Sequence, residues 1–280
     1  MHDLTNALHH ICESVPYTVR YSILDKRHNR VFERDSEVET PSASTRKISI
    51  MLAALKAVYD GRLDLDAPIL YEPRLREEVA SGVFRYLTPG ISIPLRDAIV
   101  GMIILSDNVC TKMVLERLTL QDVSDYCTAI GMTGTHHRFL IPPLALPDDH
   151  PLDEVTTTTA ADQTRLLDKL LAGQSAAEHA RELGLTPDLC DFALNTLGRQ
   201  ILRYGIPSRL PYDTKFACKG GRGKRGRMDA GIVFKDGSPL YVLGVYTDNV
   251  PPALADGTPG YSSALDTIGR ISRACWDALQ

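Results

Sequence analysis

Strand-like segments at both ends of the chain, separated by a long helical stretch, constrain the fold more than any other feature of the sequence. Near the N-terminus, Tyr17–Leu24 alternates like a strand, turns at Asp25–Arg30 and leads into a second strand at Val31–Phe32. After Leu197, short β-branched or aromatic runs return, separated by Gly, Asp and Pro. This order predicts one mixed α/β lobe built from both termini and an all-helical lobe inserted into it.

Apolar residues that recur every three to four positions predict the helices, and short β-branched runs predict the late strands. We expect helices at Leu4–Ser14, Ser44–Tyr59, Leu95–Leu105, Val109–Leu118, Leu120–Ile130, Ala160–Leu171 and Ser262–Leu279, and strands at Thr214–Cys218, Gly231–Phe234 and Leu240–Tyr246. The mixed lobe would comprise residues 1–41 and 195–280 and the helical lobe residues 42–194. The active site would lie at their junction.

Composition and charge exclude several classes of protein. Hydrophobic residues make up 44% of the chain and charged residues 24%, which is typical of a folded globular protein. A net charge of −4 argues against a nucleic-acid partner. No apolar run approaches the roughly 18 residues that span a bilayer, so we expect no membrane segment.

The N-terminus and the cysteines bear on the cellular compartment. The first residues lack the basic and apolar regions of a secretory signal, so we expect a cytoplasmic protein if the chain is full length, and a periplasmic or secreted one if a signal was removed. The six cysteines are scattered without Cys-x-x-Cys spacing, which predicts reduced, buried thiols. No cofactor or metal is implied.

Ser44 and Lys47 open the long predicted helix and form the first candidate catalytic pair. Three residues along a helix return to nearly the same face, so the hydroxyl and the amine can meet. A helix N-terminus carries partial positive charge, which disfavours a protonated lysine and favours a developing alkoxide. Taken alone, however, the pair is more simply interpreted as an N-cap serine and a solvated lysine.

Two further motifs carry polar groups suited to the same chemistry. Ser106-Asp107-Asn108 follows an apolar helix and offers a second hydroxyl and a carboxamide, although turn and capping residues look alike. Lys219-Gly220-Gly221-Arg222 follows a predicted strand, where small residues let a substrate lie along the strand edge and the lysine offers a charge to a carboxylate. The alternative is a glycine-rich hairpin turn.

The order and spacing of the three motifs resemble the class A β-lactamases and penicillin-binding proteins. The likeness extends to Val19–Asp25, to Leu87–Gly90 before the second motif, to Thr156–Ala161 and to the closing helix, and so spans most of the chain. The resemblance implies an α+β, β-lactamase/transpeptidase-like fold. It would have an antiparallel sheet with flanking terminal helices, an inserted all-helical lobe and an Ω-like loop at about residues 138–155.

The resemblance also implies the function of each motif residue. Ser44 would be the nucleophile and Lys47 its base. Ser106 would pass a proton to the departing amine, with Lys219 behind it, and Asn108 would orient the substrate amide.

Residues of the third motif and its neighbour would bind the substrate. The backbone N–H groups of Ser44 and Arg222 would form the oxyanion hole, and Gly221 would let the substrate lie along the strand. Gly220 stands where the family usually has Thr or Ser to bond the substrate carboxylate. Arg222 and Arg227 could compensate, because a guanidinium engages a carboxylate bidentately.

The Ω-like loop departs from the family pattern. Class A enzymes hydrolyse the acyl-enzyme with a glutamate early in this loop, but residues 138–146 contain no carboxylate, and Val155 replaces an aspartate that ties the loop. Asp148, Asp149 or His150 could supply a substitute base, although solvated loop residues are the simpler interpretation.

We therefore predict a serine hydrolase that forms an acyl-enzyme on Ser44 with a small carboxylate-bearing amide or ester, β-lactams in particular, and releases it slowly. One alternative is a cytosolic amidase, glutaminase-like enzyme or esterase on the same scaffold. The other is a non-enzymatic penicillin-binding sensor. The sequence leaves the oligomeric state open.

Overall fold

A five-stranded antiparallel sheet forms the centre of the mixed part of the fold, in the order β2-β1-β9-β8-β7. The computed structural model describes residues 2–143 and 145–280. The principal strands are β1 (Thr18–Asp25) and β2 (Arg30–Arg34), with β7 (Phe216–Arg222), β8 (Arg227–Lys235) and β9 (Ser238–Asp248) from the other end of the chain. Four short strands form two ladders of their own: β3 (Thr40–Pro41) with β6 (Thr157–Thr158), and β4 (Pro68–Leu70) with β5 (Ser92–Pro94).

The helices are numbered in chain order. They are α1 (His2–Glu13), α2 (Lys47–Tyr59), α3 (Leu95–Ile104), α4 (Asn108–Leu115), α5 (Leu120–Ala129), α6 (Ala160–Ser175), α7 (Ala177–Glu182), α8 (Pro187–Gly198) and α9 (Gly260–Leu279). α1 and α9 pack together on one face of the sheet, and α6 packs on the other. The α+β class with an antiparallel sheet and flanking terminal helices is confirmed.

The core is split by the sheet into two main clusters of buried side chains. One joins α1 and α9 to the sheet through residues such as Leu8, Leu243 and Ile268. The larger one surrounds α2, whose residues from Lys47 to Leu55 are all buried. A helix that is apolar on every side is a central helix, so the nucleophile motif is attached to an element of the core. The division into two lobes at residues 42 and 195 stays a proposal.

The observed elements differ from the predicted ones in several places. The helix expected from Ser44 begins as a 3₁₀ turn, Ala43–Arg46, before α2 starts at Lys47. The strand expected to end at Cys218 continues through the glycines to Arg222, so the third motif lies within β7 and is not a turn. Helices α7 and α8 were not predicted. None of the described helices has the length and apolar character needed to cross a membrane.

Candidate active site

Ser44 lies in the 3₁₀ turn that leads into α2. In this geometry side chains three residues apart eclipse each other, which places Ser44 on the same side as Lys47. The preceding Ala43 has φ of +42°, a left-handed conformation that costs energy in any residue with a side chain. Ser44 is half-buried and lines a cavity of about 540 Å³.

Lys47 is buried and held by three oxygen atoms. Its Nζ donates to the Ser106 carbonyl oxygen at 2.8 Å and to Asn108 Oδ1 at 2.7 Å, and lies 3.3 Å from Ser106 Oγ. A neutral amine that uses two N–H groups in this way keeps one lone pair free to accept a proton. The arrangement suits a general base.

Lys219 reaches the same hydroxyl from the sheet. Its Nζ lies 3.0 Å from Ser106 Oγ and 2.8 Å from the Gly220 carbonyl oxygen. Ser106 Oγ therefore bridges two buried lysines, one from the helix α2 and one from β7. This chain of contacts offers a path for a proton between Lys47 and Lys219.

The two lysines have lowered pKa values. Burial, followed by the charges of Lys219 and Arg46, holds the pKa of Lys47 well below its ordinary value. Burial also lowers the pKa of Lys219 to about 8, although the nearby Asp229 opposes the effect. Both shifts favour the neutral amine, and the strong lowering of the Lys47 pKa suits a residue that accepts a proton.

In the second motif, Asp107 stabilises the local structure, whereas Ser106 contributes to the site. Asp107 caps α4, accepting from the N–H groups of Val109 and Cys110, and also accepts from that of Phe84. Ser106, one residue earlier, has φ of +55°. This strained conformation directs both its carbonyl and its hydroxyl toward Lys47, as backbone strain at functional sites often does.

Apolar and cationic surfaces form opposite parts of the cavity. On the loop side lie Ile141, Pro142, Pro143, Leu146 and Val155; on the β7–β8 side lie Arg222, Lys224 and Arg227. Among the described residues, none of those lining the cavity is an aspartate or a glutamate.

Arg222 and Arg227 lie directly opposite each other across the β7–β8 ladder. Opposed like charges destabilise a sheet, yet neither guanidinium has a carboxylate partner among the described residues. Arg222 stacks on Tyr204 at 4.3 Å, and Arg227 lies 5.4 Å from the centre of the Tyr261 ring. Arg227 also donates to the carbonyl oxygens of Gly223 and Gly226, at 2.7 and 2.9 Å, and both arginines line the same cavity as Ser44.

The direction of the Arg222 backbone N–H bears on the predicted oxyanion hole. β7 is an edge strand, and the Gly223 N–H points inward to the Gly226 carbonyl oxygen at 3.0 Å. N–H groups alternate in direction along a strand, so that of Arg222 points away from the sheet. Gly221 lies within β7, where an added Cβ would be 2.7 Å from Met228 Cγ and 3.1 Å from Ala43 Cβ.

The three predicted substitute bases have different environments. Asp148 and Asp149 are exposed, and Asp148 pairs with Lys224 at 3.5 Å. His150 is 2% exposed and lines the cavity. Its Nδ1 lies 2.9 Å from the Pro151 carbonyl oxygen, which makes Nδ1 the donor and leaves Nε2 as an acceptor.

Two arginines hold the loop in place of the expected Arg–Asp ion pair. Arg138 donates to the Val155 carbonyl oxygen and to Thr157 Oγ1, at 3.1 and 2.8 Å. Arg46 donates to backbone carbonyls at the start of the loop. Val155 stands where the family has the aspartate that ties the loop, and one of the two arginines, Arg46, lies inside the first motif.

Sequence reasoning missed four residues that shape the site: Arg46, Asp107, Tyr204 and Asp229. Asp229 is buried opposite Gly220, and burial raises the pKa of its carboxyl. A basic residue within Ser44-Thr45-Arg46-Lys47 was the available signal for Arg46. Asp107 stands inside the second motif, although no role was assigned to it, and Tyr204 and Asp229 stand in ordinary turn or strand sequences. No cluster of three or more His, Cys, Asp or Glu suited to a metal occurs in the described ranges.

Comparison with known proteins extends over the whole chain. A model of the beta-lactamase enzyme family matches residues 3–279. An imipenem-hydrolyzing beta-lactamase from Enterobacter cloacae is 28% identical over 227 residues, which cover 80% of this chain and 74% of that protein.

Solved structures share the fold at lower identity. A beta-lactamase from Sphaerobacter thermophilus superposes with a TM-score of 0.83 at 24% identity, covering 99% of this chain and 97% of that one. A mutant of PBP-A in an acyl-enzyme complex with penicillin G superposes with a TM-score of 0.80 at 21% identity, covering 99% and 96%.

Proposed function

This chain is a serine hydrolase of the beta-lactamase enzyme family, and we propose that it is acylated on Ser44 and releases the acyl group slowly. The resemblance inferred from the three motifs is confirmed at the level of the family. The observation that carries the proposal is the chain of contacts from Lys47 through Ser106 to Lys219, set in a cavity without a described carboxylate.

In the proposed acylation, Lys47 takes the Ser44 proton as Oγ attacks the carbonyl carbon of a small-molecule amide. The N–H groups of Ser44 and Arg222 stabilise the oxyanion. As the tetrahedral intermediate collapses, the C–N bond breaks. Ser106 then protonates the leaving nitrogen and is reprotonated by the lysine network. Asn108 holds Lys47 and the substrate amide.

A carboxylate on the substrate would lie between Arg222 and Arg227. An anion at this position would offset the repulsion between the opposed guanidiniums, which gives this site a preference for anionic substrates. Gly221 contributes by letting β7 lie close to the nucleophile turn. The apolar wall made by the loop would face the acyl group.

We expect slow release of the acyl group because the described residues that line the cavity include no carboxylate that could act as a base. Deacylation needs a base within reach of a water molecule near Ser44, and the two loop aspartates point into solvent. His150 is a buried loop residue that lines the cavity and keeps Nε2 as an acceptor, so we assign the residual hydrolysis to it. A penicillin-binding sensor, which keeps its acyl group, is favoured by the same absence of carboxylates.

Nitrocefin hydrolysis under single- and multiple-turnover conditions tests this proposal. We expect a burst of one equivalent of product per protein, followed by slow turnover. His150→Gln should slow the second phase, whereas a double variant, Asp148→Asn with Asp149→Asn, serves as the matched control and should leave it unchanged. Rapid linear turnover without a burst, or loss of the slow phase in the aspartate variant alone, would contradict the proposal.

A further inference from the structure

Arg46 is a buried cation without a counter-ion. The side chain is 2% exposed, and no carboxylate of the described residues lies within ion-pair distance. Its guanidinium donates instead to the carbonyl oxygens of Phe139 and Leu140 and, at 3.3 Å, to Thr156 Oγ1. Burying an unpaired charge is costly even when its hydrogen bonds are satisfied, so the retention of an arginine here calls for an explanation.

The acceptors of Arg46 lie at both ends of the Ω-like loop. Phe139 and Leu140 begin the loop and Thr156 closes it. On the other side of the same 3₁₀ turn, Ser42 bonds the Thr156 carbonyl oxygen through its N–H and its hydroxyl, each at 2.9 Å. The nucleophile turn and both ends of the loop are therefore joined in one network.

Arg46 also precedes Lys47 directly in sequence. Four titratable groups act on the Lys47 amine: Lys219, Arg46, Asp107 and Cys110. Two of them are cations that disfavour a second positive charge, and Asp107 is already engaged in capping α4. No carboxylate in the described part of the chain pairs with Arg46, and both side chains are buried, so water screens its charge on Lys47 only weakly.

We propose that Arg46 is a positioning residue that fastens the Ω-like loop to the nucleophile turn and, by its unpaired charge, keeps Lys47 in the form that accepts a proton. The second half rests on the proposed function of Lys47 as a base. The first half stands on hydrogen bonds alone.

Three variants separate the two effects. Arg46→Gln removes the charge and most of the hydrogen bonds. Arg46→Lys keeps the charge but loses the fork of donors. Arg138→Gln is the matched control, since Arg138 also ties the loop, through Val155 and Thr157, but is not among the groups that act on Lys47.

Two measurements are made on each full-length variant: the rate of acylation by a fluorescent penicillin as a function of pH, and the rate of limited proteolysis within residues 138–155. All three variants should be cleaved faster than the wild type. Only Arg46→Gln should move the acid limb of the acylation profile upward, by about half a pH unit or more, equivalent to at least a threefold change in the protonation of Lys47.

The proposed effect of the Arg46 charge on Lys47 would be overturned by either of two results. The acid limb of Arg46→Gln could coincide with that of the wild type, or Arg138→Gln could show the same displacement as Arg46→Gln. Unchanged proteolysis in Arg46→Lys would overturn the fastening half, even if Arg46→Gln fails to fold. Absence of acylation in the wild type would instead count against the proposed function. The Nζ titration of Lys47, followed by NMR in ¹⁵N-lysine protein, then tests the effect of Arg46 independently.

Discussion

At the scale of single residues, Ser106 is the group that connects the two buried lysines of the site. Its hydroxyl contacts two buried lysines, and its carbonyl oxygen accepts from one of them. Two ammonium groups so close together, with no carboxylate in contact with either, repel each other strongly in a buried site. We therefore expect the pair to hold its positive charge on one lysine, and the strong lowering of the Lys47 pKa by burial and by the charge of Lys219 favours Lys47 as the neutral partner.

This assignment predicts a bell-shaped dependence of the acylation rate on pH. On the acid side the rate should fall as Lys47 takes up a proton. On the alkaline side it should fall as Lys219, whose pKa burial lowers to about 8, loses its proton. Lys219→Arg keeps the charge at all accessible pH values, so it should remove the alkaline limb. Stopped-flow acylation between pH 5 and pH 10 measures both limbs. An alkaline limb that persists in Lys219→Arg would show that another group causes it.

Gly220 is a second residue whose effect can be predicted. An added Cβ would lie 3.3 Å from Tyr204 Cε2, which a small ring movement relieves. Gly220→Ser should then supply a hydroxyl to the substrate carboxylate and raise the second-order acylation rate about fivefold, equivalent to about 1 kcal/mol for one hydrogen bond.

Gly223→Ser is the control for this substitution. Gly223 also lines the cavity, and an added Cβ would be 3.7 Å from its nearest neighbour, so the hydroxyl enters without strain but at the turn. Its acylation rate should match that of the wild type. An equal increase in both variants would mean that the gain does not come from the position of Gly220.

At the scale of elements, the sequence predicts helices better than it predicts their ends. α2 and α9 follow from their apolar spacing, but the 3₁₀ turn at Ser44 depends on contacts of Ser42 with Thr156, more than a hundred residues away. The predicted strand ends earlier than β7 does, because Gly220 and Gly221 are residues typical of a turn. Its neighbour β8 supplies the hydrogen bonds that continue it to Arg222.

The residues of the candidate site could likewise be predicted only in part. Ser44, Lys47, Ser106, Asn108 and Lys219 are marked by residue type and order, and the structure brings the last four into one network of contacts. Arg46 could not be assigned from sequence, because a buried arginine and a solvated one look alike there. The distinction between His150 and the two aspartates also required the structure, since three adjacent loop residues differ only in the direction they face.

At the scale of the whole molecule, strands from both ends of the chain meet at β1 and β9, and this closure places the motif on β7 against the helices that carry the other two. All six cysteines are free and buried, as predicted, so packing and not disulfide bonding holds the parts together. The larger buried cluster extends from α2 to the sheet residues Ala217, Ala230 and Val242. The site therefore lies between rigid elements, and the loop 138–155 is the part fastened by a few polar contacts.

The central claim, acylation of Ser44 with slow release, is tested most directly by intact-protein mass spectrometry after incubation with penicillin G. Opening of the lactam ring leaves no fragment, so the account predicts a mass increase of one whole penicillin molecule. The increase should persist after removal of free penicillin and be absent in Ser44→Ala. No adduct on the wild type at any pH, or an equal adduct on Ser44→Ala, would contradict the claim.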